Sequence, residues 1–110
     1  MEIIALDERT PDVEVEFKFN EIKTRSVTSG YRPHHEIIFG SLTTGVHNYY
    51  GVESVNPGET AIGTITFILP EEYPNSLYIG QKINICEGAR IVGVARVIKI
   101  LNPIMQKQIP

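Results

Sequence analysis

Residues Val13 to Phe19 read V-E-V-E-F-K-F, a strict apolar–polar alternation of period two. In an extended chain successive side chains point to opposite faces. Val13, Val15, Phe17 and Phe19 therefore share one face, and Glu14, Glu16 and Lys18 share the other. Wound as a helix, the same residues would scatter around the whole circumference. The segment is a half-buried strand, and its apolar face requires partner strands to cover it.

Further strand signals follow. Glu36-Ile37-Ile38-Phe39 is a short β-branched and aromatic run ending at Gly40. Thr60 to Leu69 (T-A-I-G-T-I-T-F-I-L) is rich in β-formers and is closed by Pro70, with Gly63 suggesting a bend or bulge. Lys82 to Glu87 alternates, with Ile83 and Ile85 inward, and Ile91 to Leu101 is the longest β-prone run, with Gly93 as a second bend. Asn56-Pro57-Gly58, Pro74-Asn75-Ser76 and Glu87-Gly88 carry turn chemistry between these runs. Nowhere do apolar residues recur at helical spacing over three turns. About six closely spaced strands without helices predict an all-β barrel or sandwich. Its expected limits are a lead-in over 1–12, a barrel over 13–102, and a tail over 103–110 that lacks periodicity and is expected to fray.

The chain has 110 residues, the common size of one domain. Its 42% hydrophobic and 21% charged residues place it among globular proteins. No run approaches the roughly 20 apolar residues of a membrane-spanning helix. Met1 to Asp7 carries acids where a secretory leader carries positive charge, so a cytoplasmic location is expected. The single cysteine, Cys86, has no intramolecular disulfide partner, in keeping with a reducing compartment. A net charge of −3 argues against strong nonspecific binding to nucleic acid, which draws on many Lys and Arg contacts to phosphate.

Four signatures occur in order: Gly30-Tyr31-Arg32-Pro33; Val52-Glu53-Ser54-Val55-Asn56-Pro57-Gly58-Glu59; a β-branched strand ending at Pro70; and Gly80 to Gly93, G-Q-K-I-N-I-C-E-G-A-R-I-V-G. Together they resemble the C-terminal (third) domain of elongation factor Tu over roughly residues 13 to 101. The resemblance implies a six-stranded antiparallel Greek-key β-barrel. It also implies a surface that in the family binds the T stem of aminoacyl-tRNA. The departures are informative. No G-x-x-x-x-G-K-[ST] phosphate loop is present, so nucleotide hydrolysis by that family's route is excluded. The family's Arg-His-Thr stretch is replaced by Lys23-Thr24-Arg25, and the Gln after G-Y-R-P by His34. The Glu-Gly turn is kept as Glu87-Gly88, while its second Gly is Ala89 and the preceding Arg is Cys86.

Three functions follow as expectations. The first is a non-catalytic module, without cofactor, that binds a protein linked to translation: elongation factor Tu itself, its exchange factor, or a competitor such as a toxin. Its contacts would come from the loop aromatics Tyr49 and Tyr50 and from Tyr73 and Tyr78, which lie in a loop longer than the family's. The second is a tRNA-binding module using Lys23, Arg25, Arg32, His34, Glu87, Gly88 and Arg90. The third is a small metal- or thiol-dependent enzyme using His34 or His35 with His47 or Cys86. Zinc needs three or four ligands converging at about 2 Å, and adjacent His34 and His35 on a strand would point to opposite faces. Ordinary surface or interface histidines are the simpler expectation. A nucleophilic Cys86 would need an electropositive setting, whereas its neighbour is Glu87.

Overall fold

A computed structural model describes residues 9–21 and 25–108. Six strands form the fold: β1 (Val13–Phe19), β2 (His34–Ile38), β3 (Ser41–Tyr49), β4 (Thr60–Phe67), β5 (Lys82–Glu87) and β6 (Arg90–Ile100). All neighbours pair antiparallel, and the sheet closes on itself in the order β1-β4-β3-β2-β5-β6. The described residues contain no α-helix, and Pro70–Glu72 makes one turn of 3-10 helix. Closure leaves no open sheet edge to be protected.

β1 behaves as its alternation predicts. Val13, Val15, Phe17 and Phe19 are fully buried, and the strand is inserted between β4 and β6. Ile65 and Phe67 of β4, Ile83 and Ile85 of β5, and Ala95 and Val97 of β6 complete the interior. β2 begins two residues earlier than the apolar run suggests, so both His34 and His35 lie within it. Gly93 does sit beside a bulge, where the β5–β6 register shifts between Ile85 and Cys86. Gly63 does not. The register runs through it unbroken, with Gly63 opposite Tyr49 and Val15. Its role is close approach: a β-carbon there would meet the Asn48 carbonyl oxygen at 1.9 Å.

β3 is the element that the apolar pattern conceals. Its inward positions are Thr43, Gly45, His47 and Tyr49, all buried, so no apolar alternation marks the strand. Tyr49 is thus a core residue of β3, 4% exposed, and not a loop aromatic.

The segments flanking the strands are also held. In the expected lead-in, Asp12 is 1% exposed. Its carboxylate accepts the Phe67 backbone N–H at 2.7 Å and the Asn102 side-chain amide at 2.9 Å, with the Arg9 guanidinium 3.5 Å away. Its carbonyl oxygen receives the N–H groups of Leu101 and Asn102. The expected fraying of the tail does not hold for its described part. Met105 is fully buried beside Leu77, and the N–H of Met105 and that of Lys107 are bonded to Asn102 and Leu77 carbonyls. A large apolar side chain that plugs the end of the barrel outweighs the lack of periodicity. Replacing Asp12 by Ala would strand a buried N–H, so Asp12→Ala is expected to lower stability by about 3 kcal/mol. Asp12→Asn keeps an acceptor and should lose less; urea denaturation of both variants checks the order.

Candidate functional site

The antiparallel order gives the barrel two chemically different ends. At the first, the β5–β6 turn meets the long connection from β1 to β2. Gly88, in the turn, has φ +61°, a left-handed conformation in which a side chain is disfavoured. The Tyr31 hydroxyl donates to the Glu87 carboxylate, and Arg90 lies 3.6 Å from the same carboxylate. Burial, then the bond to Glu87 and its charge, raise the Tyr31 hydroxyl well above the ordinary tyrosine value, so it remains a donor. Arg25, Ser26, Thr28, Tyr31 and Glu87 line one open hollow. His34 is opposite Cys86 in the β2–β5 register, which places the exposed Arg32 alongside the same turn. Of the residues expected to face tRNA, the structure therefore gathers Arg25, Arg32, Glu87, Gly88 and Arg90 at one end. Lys23 lies outside the described residues.

At the second end, the β2–β3 hairpin tip meets the β4–β5 connection and the tail. Phe39 at the tip is 96% exposed. Ile38, Leu42, Ile68, Leu69, Tyr78, Ile79 and Ile104, on the segments that reach this end, are also exposed. Tyr78 carries the Lys107 ammonium 5.6 Å from its ring centroid. Tyr73 is not an exposed loop aromatic as expected. It is 8% exposed, and its hydroxyl is 2.8 Å from Ser41 Oγ, tying the β4–β5 connection to the hairpin. Tyr50 lies on the outer wall towards the first end and donates to Glu14 at 3.1 Å.

The metal and thiol ligands are divided between surfaces. His34 faces outward, while His35 is fully buried inside, a correction to its expected place at the surface or an interface, and His47 is fully buried beside it. No group of three possible metal-binding side chains occurs among the described residues. Cys86 is buried, and burial, followed by the Glu36 charge, pushes its thiol up. A nucleophilic thiolate requires the opposite shift.

Sequence reasoning missed the most unusual arrangement in the molecule. His35 Nε2 and His47 Nε2 lie 2.7 Å apart inside the barrel. His35 Nδ1 is 3.1 Å from the Thr43 carbonyl, and His47 Nδ1 is 2.8 Å from the Tyr49 hydroxyl. The rings of Phe17, Phe67 and Tyr31 surround the pair. The only available signal was the i, i+2 spacing of His47 and Tyr49, which is visible only once β3 is known to be a strand.

No protein-family model matches the chain, and no curated protein matches it. Among the described residues, no helix is long and apolar enough to cross a membrane.

Proposed function

We propose that this chain is a non-catalytic, cytoplasmic binding module of the elongation factor Tu C-terminal type, and that it engages a protein linked to translation through the hairpin-tip end of the barrel. The observation that carries this reading is the exposure of Phe39, at 96%, at the same end as Ile38, Ile68, Leu69, Tyr78 and Ile79. Exposed apolar side chains gathered on one part of a small protein mark interaction surfaces, and aromatic anchors dominate binding energy at such surfaces. The strand order supports the family reading, because β1 lies beside β4 after the long β1–β2 connection, as a Greek-key barrel requires. Candidate partners are elongation factor Tu, its exchange factor and a competing toxin.

A tRNA-binding reading keeps its own support in Arg25, Arg32 and Arg90 at the opposite end, although Glu87 offsets part of that charge. The two readings separate by salt and by site. Tagged protein is incubated with cell lysate, and separately with purified elongation factor Tu, then washed at low and high salt. The expected result is a protein that survives high salt and is bound at least tenfold more weakly by Phe39→Ser and Tyr78→Ser. Recovery of tRNA that salt releases, and that Arg25→Ala and Arg90→Ala abolish, would replace the protein-binding reading.

A further inference from the structure

With both imidazoles neutral, the hydrogen-bond geometry allows a single arrangement of protons along the buried chain. The Thr43 carbonyl can only accept, so His35 Nδ1 carries hydrogen and His35 Nε2 offers a lone pair. His47 Nε2 must then donate across the 2.7 Å contact, which leaves His47 Nδ1 to accept from the Tyr49 O–H. All the partners are satisfied with both imidazoles neutral, and no buried side-chain polar atom among the described residues lacks a partner. A further proton has no free site. It can enter at His47 Nδ1 only if the Tyr49 hydroxyl turns its own hydrogen elsewhere, and it then leaves a charge among aromatic rings.

Among the described residues, the core packed around that charge is apolar. β1 presents Phe17 and Phe19, β4 presents Ile65 and Phe67, β5 presents Ile83 and Ile85, and β6 presents Ala95 and Val97. The titratable groups near the pair are Tyr49 on β3, Tyr31 from the β1–β2 connection and His34 on the outer face of β2. Glu87 and Arg90 act on Tyr31 in turn. The chain lies wholly within the β2–β3 hairpin, since His35 also pairs with Thr43 in register. β2 is the shortest strand, and its pairing to β5 spans only His34, His35 and Glu36.

We propose that the Tyr49–His47–His35–Thr43 chain is an acid-sensitive latch: while both imidazoles are neutral they stay packed against Phe17, Phe67 and Tyr31, which keeps the β2–β3 hairpin in the barrel, and protonation drives them out and opens the hairpin at its short seam with β5. Burial lowers His35 to about 4 and His47 well below its ordinary value, each by desolvation first. The direction follows from these shifts. An opened hairpin takes up protons below the ordinary histidine value of about 6.5, while the closed barrel does not until about 4. Closure is therefore fully favoured above about pH 6.5 and weakens as pH falls towards 4. With two histidines exposed on opening, the open population rises on the order of a thousandfold between pH 7.5 and pH 5.

Nitrogen chemical shifts of the wild-type imidazoles test the latch directly. The expected result at pH 7.5 is hydrogen on His35 Nδ1 and on His47 Nε2; any other tautomer pair overturns the proposal. Hydrogen exchange, corrected for intrinsic rates, should then show the β2 and β5 amides along their seam losing protection between pH 7 and 5 ahead of β1 and β6. Unchanged protection, or equal loss in all six strands, overturns it. His34→Asn on the outer face should leave the transition in place. His47→Leu combined with Tyr49→Phe should reduce the acid slope from about two protons to about one, and a slope still near two would assign the acid response to other groups.

Discussion

Gly63→Ala is expected to destabilise the barrel by about 4 kcal/mol or more, a large share of the 5–15 kcal/mol typical of a domain. The added β-carbon would lie 1.9 Å from the Asn48 carbonyl oxygen, 2.9 Å from its carbon and 3.0 Å from Tyr49 Cα. These are backbone atoms of β3, so relief requires the strand to move and not a side chain to rotate. Overpacking usually costs about 1–3 kcal/mol where side chains can yield. Here displacement also disturbs β3–β4 pairing at the place where Tyr49 anchors the histidine chain. Gly40→Ala is the control. Gly40 has φ +82° with nothing within 4 Å of an added β-carbon, so only conformational strain of about 1 kcal/mol is expected. Urea midpoints compare the two. A Gly63→Ala protein as stable as Gly40→Ala would show that β3 does not approach β4 so closely.

His47→Leu is expected to cost about 3–5 kcal/mol at pH 7.5, although leucine is close to histidine in volume and leaves no large cavity. It removes one residue but strands two buried groups, His35 Nε2 and the Tyr49 hydroxyl. His35 cannot compensate by shifting its hydrogen, because Nδ1 is bound to the Thr43 carbonyl. An orphaned buried polar group costs about 1–3 kcal/mol. The signature is a coupling. Tyr49→Phe alone should cost about 1–3 kcal/mol, because it orphans His47 Nδ1, whereas in the His47→Leu background it should be neutral or stabilising. Additive effects in chemical denaturation would mean that Tyr49 and His47 do not share a hydrogen bond.

Elements whose interior faces are apolar were the legible ones. The alternation of Val13–Phe19 identified both the strand and its buried face, and Lys82–Glu87 matched its observed bounds. Turn chemistry placed the tight connection at Glu87–Gly88. β3 escaped because Thr43, Gly45 and His47 read as polar or turn-forming residues, and each is inward for a reason outside its own segment. Position 45 is glycine because a β-carbon at this inward site would meet Ile65 at 2.7 Å, and His47 is tolerated inside because His35 and Tyr49 bond its ring nitrogens. The candidate site divided in the same way. The residues around Glu87 were legible because they lie together in the chain or in the motifs of the resemblance. The separate fates of Tyr73 and Tyr78 were not, since one is anchored by Ser41 of the hairpin while the other remains 51% exposed.

Sequence by itself determined that this chain is an all-β protein, because period-two burial and turn residues act within a few residues of one another. The motifs of the resemblance also implied a six-stranded barrel; only the tertiary structure decided how it closes, with β1 joined to both β4 and β6 across most of the chain length. It likewise decided that His35 and His47 are buried core residues bonded to each other and that Met105 returns to plug the barrel. The physical reason is the range of the interactions. Alternation is a local property of an extended backbone, whereas burying a polar side chain is tolerable only when a partner from another strand arrives to complete its hydrogen bonds.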